Sequence, residues 1–323
     1  MNLSRRQAAA GFFAAAAALP AARALAQAMP PDASPVDETP TAVATGQDAF
    51  EHMTAPVSIN GQGPYNFLID TGANVSCVST NVAKQLMLDA LAPTRVHTVV
   101  GARERQAVLI NHLQVGERSR RSVHAAALPL TDGVDGVLGV DWLKGQRLEL
   151  SFKPRGLSIT RSKTDVSADG QVVVPADRRL GQLTIVDADL SGRRISAMID
   201  SGSQMTICNG PVRELIQSMD RRRGVDTPIQ QVRLESVVGE KFLGEMVYIP
   251  FMRLGGLQLG NVPVVFSDMH VFDLWRLRDK PAVVLGMDLL TQFDLVALDF
   301  GRSAVRFDLS AAMRGPPAPF AKT

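Results

Sequence analysis

Short apolar runs broken by glycine dominate the chain between about residues 50 and 310. Val57-Ser58-Ile59-Asn60 and Leu183-Thr184-Ile185-Val186 alternate or nearly alternate and run into glycine-containing turns, which predicts half-buried strands. Leu148-Glu149-Leu150-Ser151-Phe152 and Val296-Ala297-Leu298-Asp299-Phe300 predict two further strands. Val82-Ala83-Lys84-Gln85-Leu86 and Val212-Arg213-Glu214-Leu215-Ile216 read as helical segments after a turn. Short strands joined by glycine-rich turns predict an all-β fold of small closed or nearly closed lobes, with short helices.

The pattern occurs twice, in the same order. Phe67-Leu68-Ile69-Asp70-Thr71-Gly72-Ala73 matches Ala197-Met198-Ile199-Asp200-Ser201-Gly202-Ser203. Val99-Val100-Gly101-Ala102 resembles Val237-Val238-Gly239-Glu240, and Leu113-Gln114-Val115-Gly116 resembles Leu257-Gln258-Leu259-Gly260. Val137-Leu138-Gly139-Val140-Asp141-Trp142-Leu143 matches Val284-Leu285-Gly286-Met287-Asp288-Leu289-Leu290. The offsets grow slowly, through 130, 138, 144 and 147 residues, as expected for one ancestral unit with loop insertions.

The ends of the chain differ from this repeat. Ser4-Arg5-Arg6-Gln7 precedes an apolar stretch, Ala8 to Leu19, followed by small-residue cleavage patterns near Ala26 and Ala28. That is the layout of a signal peptide, and the paired arginines fit the twin-arginine route. The expected organisation is a signal peptide over 1–28 and a flexible segment over 29–48. An N-terminal lobe over 49–160, a linker over 161–171, a C-terminal lobe over 172–310 and a flexible tail over 311–323 follow. An exported protein, periplasmic or secreted, is expected, with no stable membrane span after cleavage.

Composition then narrows the function. The chain has 34 basic and 32 acidic residues, and cleavage after Ala28 removes Arg5, Arg6 and Arg23 but no acid. A nearly neutral mature chain, poor in aromatics, gives no support for nucleic-acid binding. The histidines His52, His97, His112, His124 and His270 have no metal-ligand spacing, so neither metal nor cofactor is expected, and each is read as an ordinary surface or core residue. Cys77 and Cys208 lie in apolar stretches and read as buried free thiols, though an exported protein could bridge them.

The chemistry lies in the repeated turn. An apolar run delivers Asp70 or Asp200 to the end of a buried strand, and Gly72 or Gly202 permits close backbone approach. Two lobes facing one another would place the carboxylates side by side, where both cannot ionise cheaply and one proton is shared. Such a pair can take a proton from water and donate a hydrogen bond to a carbonyl at once. The Thr71 and Ser201 hydroxyls fit a supporting role in the turns rather than that of nucleophile. Asp141 and Asp288 are expected to cap short helices beginning at Trp142 and Leu289.

These motifs resemble the retropepsin-like aspartic proteases, the group that includes retroviral and pepsin-type enzymes. The resemblance rests on Asp70-Thr71-Gly72-Ala73, Asp200-Ser201-Gly202-Ser203 and the later apolar-apolar-glycine elements ending at Gly139 and Gly286, and covers roughly residues 50 to 310. It implies a pepsin-like arrangement of two β-barrel lobes, with the later element passing beneath each catalytic turn in a ψ-shaped crossing. It also implies β-hairpin flaps over the cleft, with Val100, Gly101, Val238 and Gly239 as candidates. Pepsin-type enzymes carry a flap tyrosine, whereas Tyr65 and Tyr248 lie outside both segments, which favours a retroviral-like site. The implied function is an aspartic endopeptidase acting on peptide or protein substrates, a monomer because both motifs lie in one chain. The alternative is an inactive peptide-binding or scaffolding protein on the same fold.

Overall fold

A computed structural model describes residues 41–43, 46–47, 53–99, 101–165, 168–225, 228–310 and 313. The expected signal peptide, most of the N-terminal segment, Val100 and nearly all of the tail lie outside these residues. In chain order the first half contains β1 (Thr41–Val43), β2 (Gly46–Gln47), β3 (Met53–Ile59), β4 (Gln62–Ile69), β5 (Cys77–Ser79), α1 (Thr80–Gln85), β6 (Asp89–His97), β7 (Ala102–Val115), β8 (Arg118–Leu128), β9 (Gly136–Leu138), β10 (Gln146–Phe152) and β11 (Arg155–Arg161). The second half contains β12 (Gln171–Arg179), β13 (Gln182–Leu190), β14 (Arg193–Ile199), β15 (Ile207–Cys208), α2 (Gly210–Arg223), β16 (Gln230–Glu235), β17 (Lys241–Leu254), β18 (Leu257–Phe266), α3 (His270–Leu274), β19 (Ala282–Leu285), α4 (Met287–Leu290), β20 (Leu295–Asp299) and β21 (Ala304–Asp308).

Each half closes a barrel. Strands β3-β4-β9-β5-β8-β7 pair in that order, and β3 returns to β7. The second barrel runs β13-β14-β19-β15-β18-β17, closed between β13 and β17. Closure leaves no open edge within the ring, and the alternating positions of the long strands point into the core. Of the apolar triplets that precede the two aspartates, Phe67, Ile69, Ala197 and Ile199 are buried in the main core, whereas Leu68 and Met198 are buried in two smaller clusters.

The two helical segments begin where local chemistry dictates. The Ser79 hydroxyl accepts the Val82 amide at 3.1 Å and caps α1. Asn209 caps α2, Pro211 occupies its first turn, and Gly224 ends it in the left-handed conformation at φ 64°.

A third sheet joins the halves. Its order is β1-β11-β10-β20-β21-β12, and the central pairing of β10 with β20 runs from Arg147↔Asp299 to Ser151↔Leu295. The strands predicted at Leu148–Phe152 and Val296–Phe300 therefore leave the barrels and pair with one another. Arg147, fully buried, crosses this seam: it pairs with Asp165 at 2.6 Å and Glu149 at 2.8 Å, and lies 3.9 Å from Asp299. Arg306 on β21 holds the other oxygen of Asp165 at 2.8 Å. Removing one member of such a network would strand a buried charge. All described residues fall within one unit, Thr39–Thr323.

Two details differ from expectation. Residues 41–43 and 46–47, inside the segment read as flexible, form strands because β11 and β3 offer them free edges. Asp141 precedes a set of turns rather than a helix, and α4 starts at Met287, ahead of Asp288. Both carboxylates are occupied by hydroxyl groups, as described next.

Candidate active site

Asp70 and Asp200 sit at the C-terminal ends of β4 and β14, and the ψ-shaped crossing is present twice. β9 runs parallel to β4 and antiparallel to β5, and β19 stands in the same relation to β14 and β15. The Asp70 amide donates to the Leu138 carbonyl at 3.0 Å, and the Asp200 amide to the Leu285 carbonyl at 3.1 Å. A Cβ on Gly286 would lie 2.4 Å from the Met205 backbone, and one on Gly139 would lie 2.7 Å from the Ala73 carbonyl. Only glycine lets the later strand pass so close beneath the turn.

The two turns lock together. The Thr71 hydroxyl accepts the Ser201 amide at 3.0 Å and donates to the Ile199 carbonyl at 3.0 Å. Reciprocally, the Ser201 hydroxyl accepts the Thr71 amide at 3.1 Å and donates to the Ile69 carbonyl at 2.8 Å. All four bonds are buried and cross between lobes.

This lock brings the carboxylates together. A Cβ on Gly72 would lie 2.4 Å from Asp200 Oδ2, and one on Gly202 would lie 2.5 Å from Asp70 Oδ1. Each aspartate thus packs on the glycine of the opposite turn. Asp70 Oδ1 accepts the Gly72 amide at 2.8 Å and the Ala73 amide at 2.9 Å. Asp200 Oδ1 accepts the Gly202 amide at 2.9 Å. Burial, the Asp70 charge and the hydrogen bond to Asp70 push Asp200 well above the usual carboxylate range. One proton held between two close carboxyl groups is the arrangement this implies.

Sequence reasoning missed a support layer behind each turn. Ser76 donates its hydroxyl proton to Asp141 at 2.8 Å and accepts the Gly139 amide at 3.1 Å. Thr206 does the same with Asp288 at 2.8 Å and the Gly286 amide at 3.1 Å. Burial raises the pKa of both carboxyl groups. The signal was available: a hydroxyl residue stands six positions after each aspartate of the paired turns.

The β6–β7 turn carries Gly101 and the β16–β17 turn carries Val238 and Gly239. Each hairpin reaches the opposite lobe. Val99 packs on the C-lobe cluster that includes Met198, Phe272 and Trp275, and its carbonyl accepts the His270 amide at 2.9 Å. Val237 and Val238 pack on the N-lobe cluster of Leu68, Cys77 and Val137, and the Val237 carbonyl accepts the Thr131 amide at 2.9 Å. The tips hold each other through the Thr98 hydroxyl and Glu240 Oε2 at 2.9 Å. His97 Nδ1 lies 3.0 Å from His270 Nε2, with the rings stacked at 5.2 Å. This cross-lobe histidine pair was not foreseen, because both residues lie in segments outside the matched motifs.

Cys77 and Cys208 are free, buried and in different barrels, and burial pushes both thiols up to about 12. No helix among the described residues is long and apolar enough to cross a membrane.

Two lobes, each with an Asp-Thr/Ser-Gly turn over a ψ crossing, are the retropepsin-like plan. The family model for aspartyl proteases matches residues 55–142 and 186–289, more than half of the chain, and the chain belongs to that family. A search of curated proteins gives no match.

Proposed function

We propose that the chain is an aspartic endopeptidase whose single site is built from Asp70 and Asp200. The observation that carries this reading is the reciprocal packing of each carboxylate on the opposite turn's glycine, with Thr71 and Ser201 fixing the approach. Asp200, with its raised pKa, is the protonated member, and Asp70, under two backbone amides, is the ionised one. Asp70 removes a proton from a water as its oxygen bonds to the peptide carbonyl carbon. Asp200 donates its hydrogen bond to the carbonyl oxygen. The carbon–nitrogen bond then breaks, and a proton passes to the departing nitrogen. In this reading the hairpins that cross between lobes act as flaps over an extended peptide.

The peptide or protein substrate is met outside the cytoplasm in this reading, because residues 1–28 have the layout of an export signal. One chain supplies both halves of the site, so a monomer suffices.

The test is cleavage of a denatured-protein or peptide library by the mature chain from acid to neutral pH, beside Asp70→Asn. Cleavage lost in the variant supports the reading. A folded wild-type chain that binds peptides without cutting them would replace it with the scaffolding alternative.

A further inference from the structure

One buried polar side chain in the C-terminal lobe reaches the N-terminal catalytic turn without belonging to either motif. Gln182, at the start of β13, is 3% exposed. Its Nε2 donates to the Gly72 carbonyl at 2.6 Å, and its Oε1 accepts the Trp275 indole N–H at 3.0 Å. Both ends of the amide are thereby fixed, which also fixes its orientation. The Gly72 carbonyl belongs to the same peptide unit as the Ala73 amide, and that amide donates to Asp70 Oδ1 at 2.9 Å. A donor on the carbonyl of a peptide polarises its N–H, so the two bonds strengthen each other.

Trp275 ends α3 and is buried against Phe272, with ring centroids 6.3 Å apart. The amide of His270, the first residue of α3, donates to the Val99 carbonyl of the first hairpin. Hairpin tip, α3, Trp275, Gln182 and the Gly72–Ala73 peptide form one connected path ending on a carboxylate.

We propose that Gln182 is a positioning residue for Asp70, holding the Gly72–Ala73 peptide so that the Ala73 amide favours the ionised carboxylate. This rests on the peptidase reading above for its catalytic meaning, but not for its geometry. It supplies an asymmetry that the repeated motifs lack. Among the described residues, Asp200 across the interface and Cys77 on β5 interact electrostatically with Asp70, and Asp141 also acts on Cys77.

Gln182→Met keeps length and bulk and removes both hydrogen bonds, and Trp275→Phe removes only the donor that orients the amide. Loss of the Gln182 bond should move the acid limb of kcat/KM upward by about half a pH unit, with about a threefold loss below that limb and KM nearly unchanged. Trp275→Phe should move it the same way by less, and serves should Gln182→Met fold poorly. An equal loss at every pH, or a change confined to KM, overturns the inference. Thermal melting gives a second readout that needs no catalysis. Hydrogen bonds made to the ionised form of a carboxylate stabilise the fold while the group is charged, and this is lost as the group protonates at low pH. Gln182→Met should therefore destabilise more at neutral pH than at about pH 3, and this difference should vanish in an Asp70→Asn background. A pH-independent difference overturns the inference. A wild type that cleaves nothing removes the peptidase reading, while the melting result still decides the role of Gln182.

Discussion

Thr71 and Ser201 exchange hydrogen bonds symmetrically: each hydroxyl accepts the other's amide and donates to the carbonyl preceding the other's aspartate. The approach of Asp70 to Asp200 is therefore set by two short hydroxyl side chains, each anchored to backbone atoms of the opposite turn. Thr71→Val keeps the shape and deletes the hydroxyl, leaving the Ser201 amide and the Ile199 carbonyl buried without partners. It should cost about 1–3 kcal/mol of stability, whereas Thr71→Ser should cost much less. Chemical denaturation of the three proteins measures this, and equal midpoints for Thr71→Val and wild type would refute the interlock.

The raised pKa of Asp200 has a definite sign for stability. A carboxyl group whose folded pKa lies above its unfolded value, about 3.9, stabilises the fold below that value. The contribution is lost as pH rises through the folded pKa, when burial and the neighbouring Asp70 oppose ionisation. Asp200→Asn cannot ionise, so it should melt above wild type at neutral pH while abolishing cleavage. Asp70→Asn should likewise abolish cleavage, and the double variant should add little, because the two residues act as one unit. A melting temperature for Asp200→Asn that falls below wild type at pH 7 would contradict the pKa assignment.

The histidine pair makes the hairpin contact sensitive to acid. Burial, then His270 and Arg95, hold His97 below the ordinary histidine value. A base with a lowered folded pKa stabilises above its unfolded value, near 6.5, and that stabilisation is lost as pH falls. As pH falls below that unfolded value and His97 protonates, the pair should separate and amide protection at the first hairpin tip should drop. The Thr98–Glu240 bond and the Arg103–Glu240 pair at 3.6 Å remain, so the change should be partial. Hydrogen exchange across pH for wild type and His97→Phe reads it out, and protection that tracks pH equally in both proteins would dismiss the histidines.

Cys77 and Cys208, with thiols raised to about 12 by burial, should resist alkylation in the native protein at pH 8 and react only after unfolding. Reductant should leave the melting temperature unchanged, since no bridge joins the two barrels. Rapid native labelling would place a thiol at the surface.

The two aspartate turns were legible because their chemistry is local. Three apolar residues, an aspartate, a hydroxyl and a glycine specify a strand end and its turn within a few positions, and the later glycines repeat the logic. The shared sheet was not legible. Leu148–Phe152 and Val296–Phe300 read correctly as strands, but their pairing depends on a register between segments about 150 residues apart that no local pattern encodes. Gln182 escaped for another reason: its partner on the Asp70 turn is a backbone carbonyl, present at every residue and silent in sequence. His97 and His270 meet across 173 positions, through insertions that differ between the two repeats.

The pairing of β10 with β20 also bears on how the gene could be divided. A cut in the segment between β11 and β12 would give two polypeptides, each ending the repeat with a strand whose hydrogen-bonding edge is bare. Bare edges of this kind find complementary strands. Co-expressed halves should therefore reassemble by edge recognition, guided by Arg147 on one fragment and Asp299 on the other. Either half alone would be left with an adhesive flank, and Asp299 would lose Arg147 while Arg147 kept Glu149.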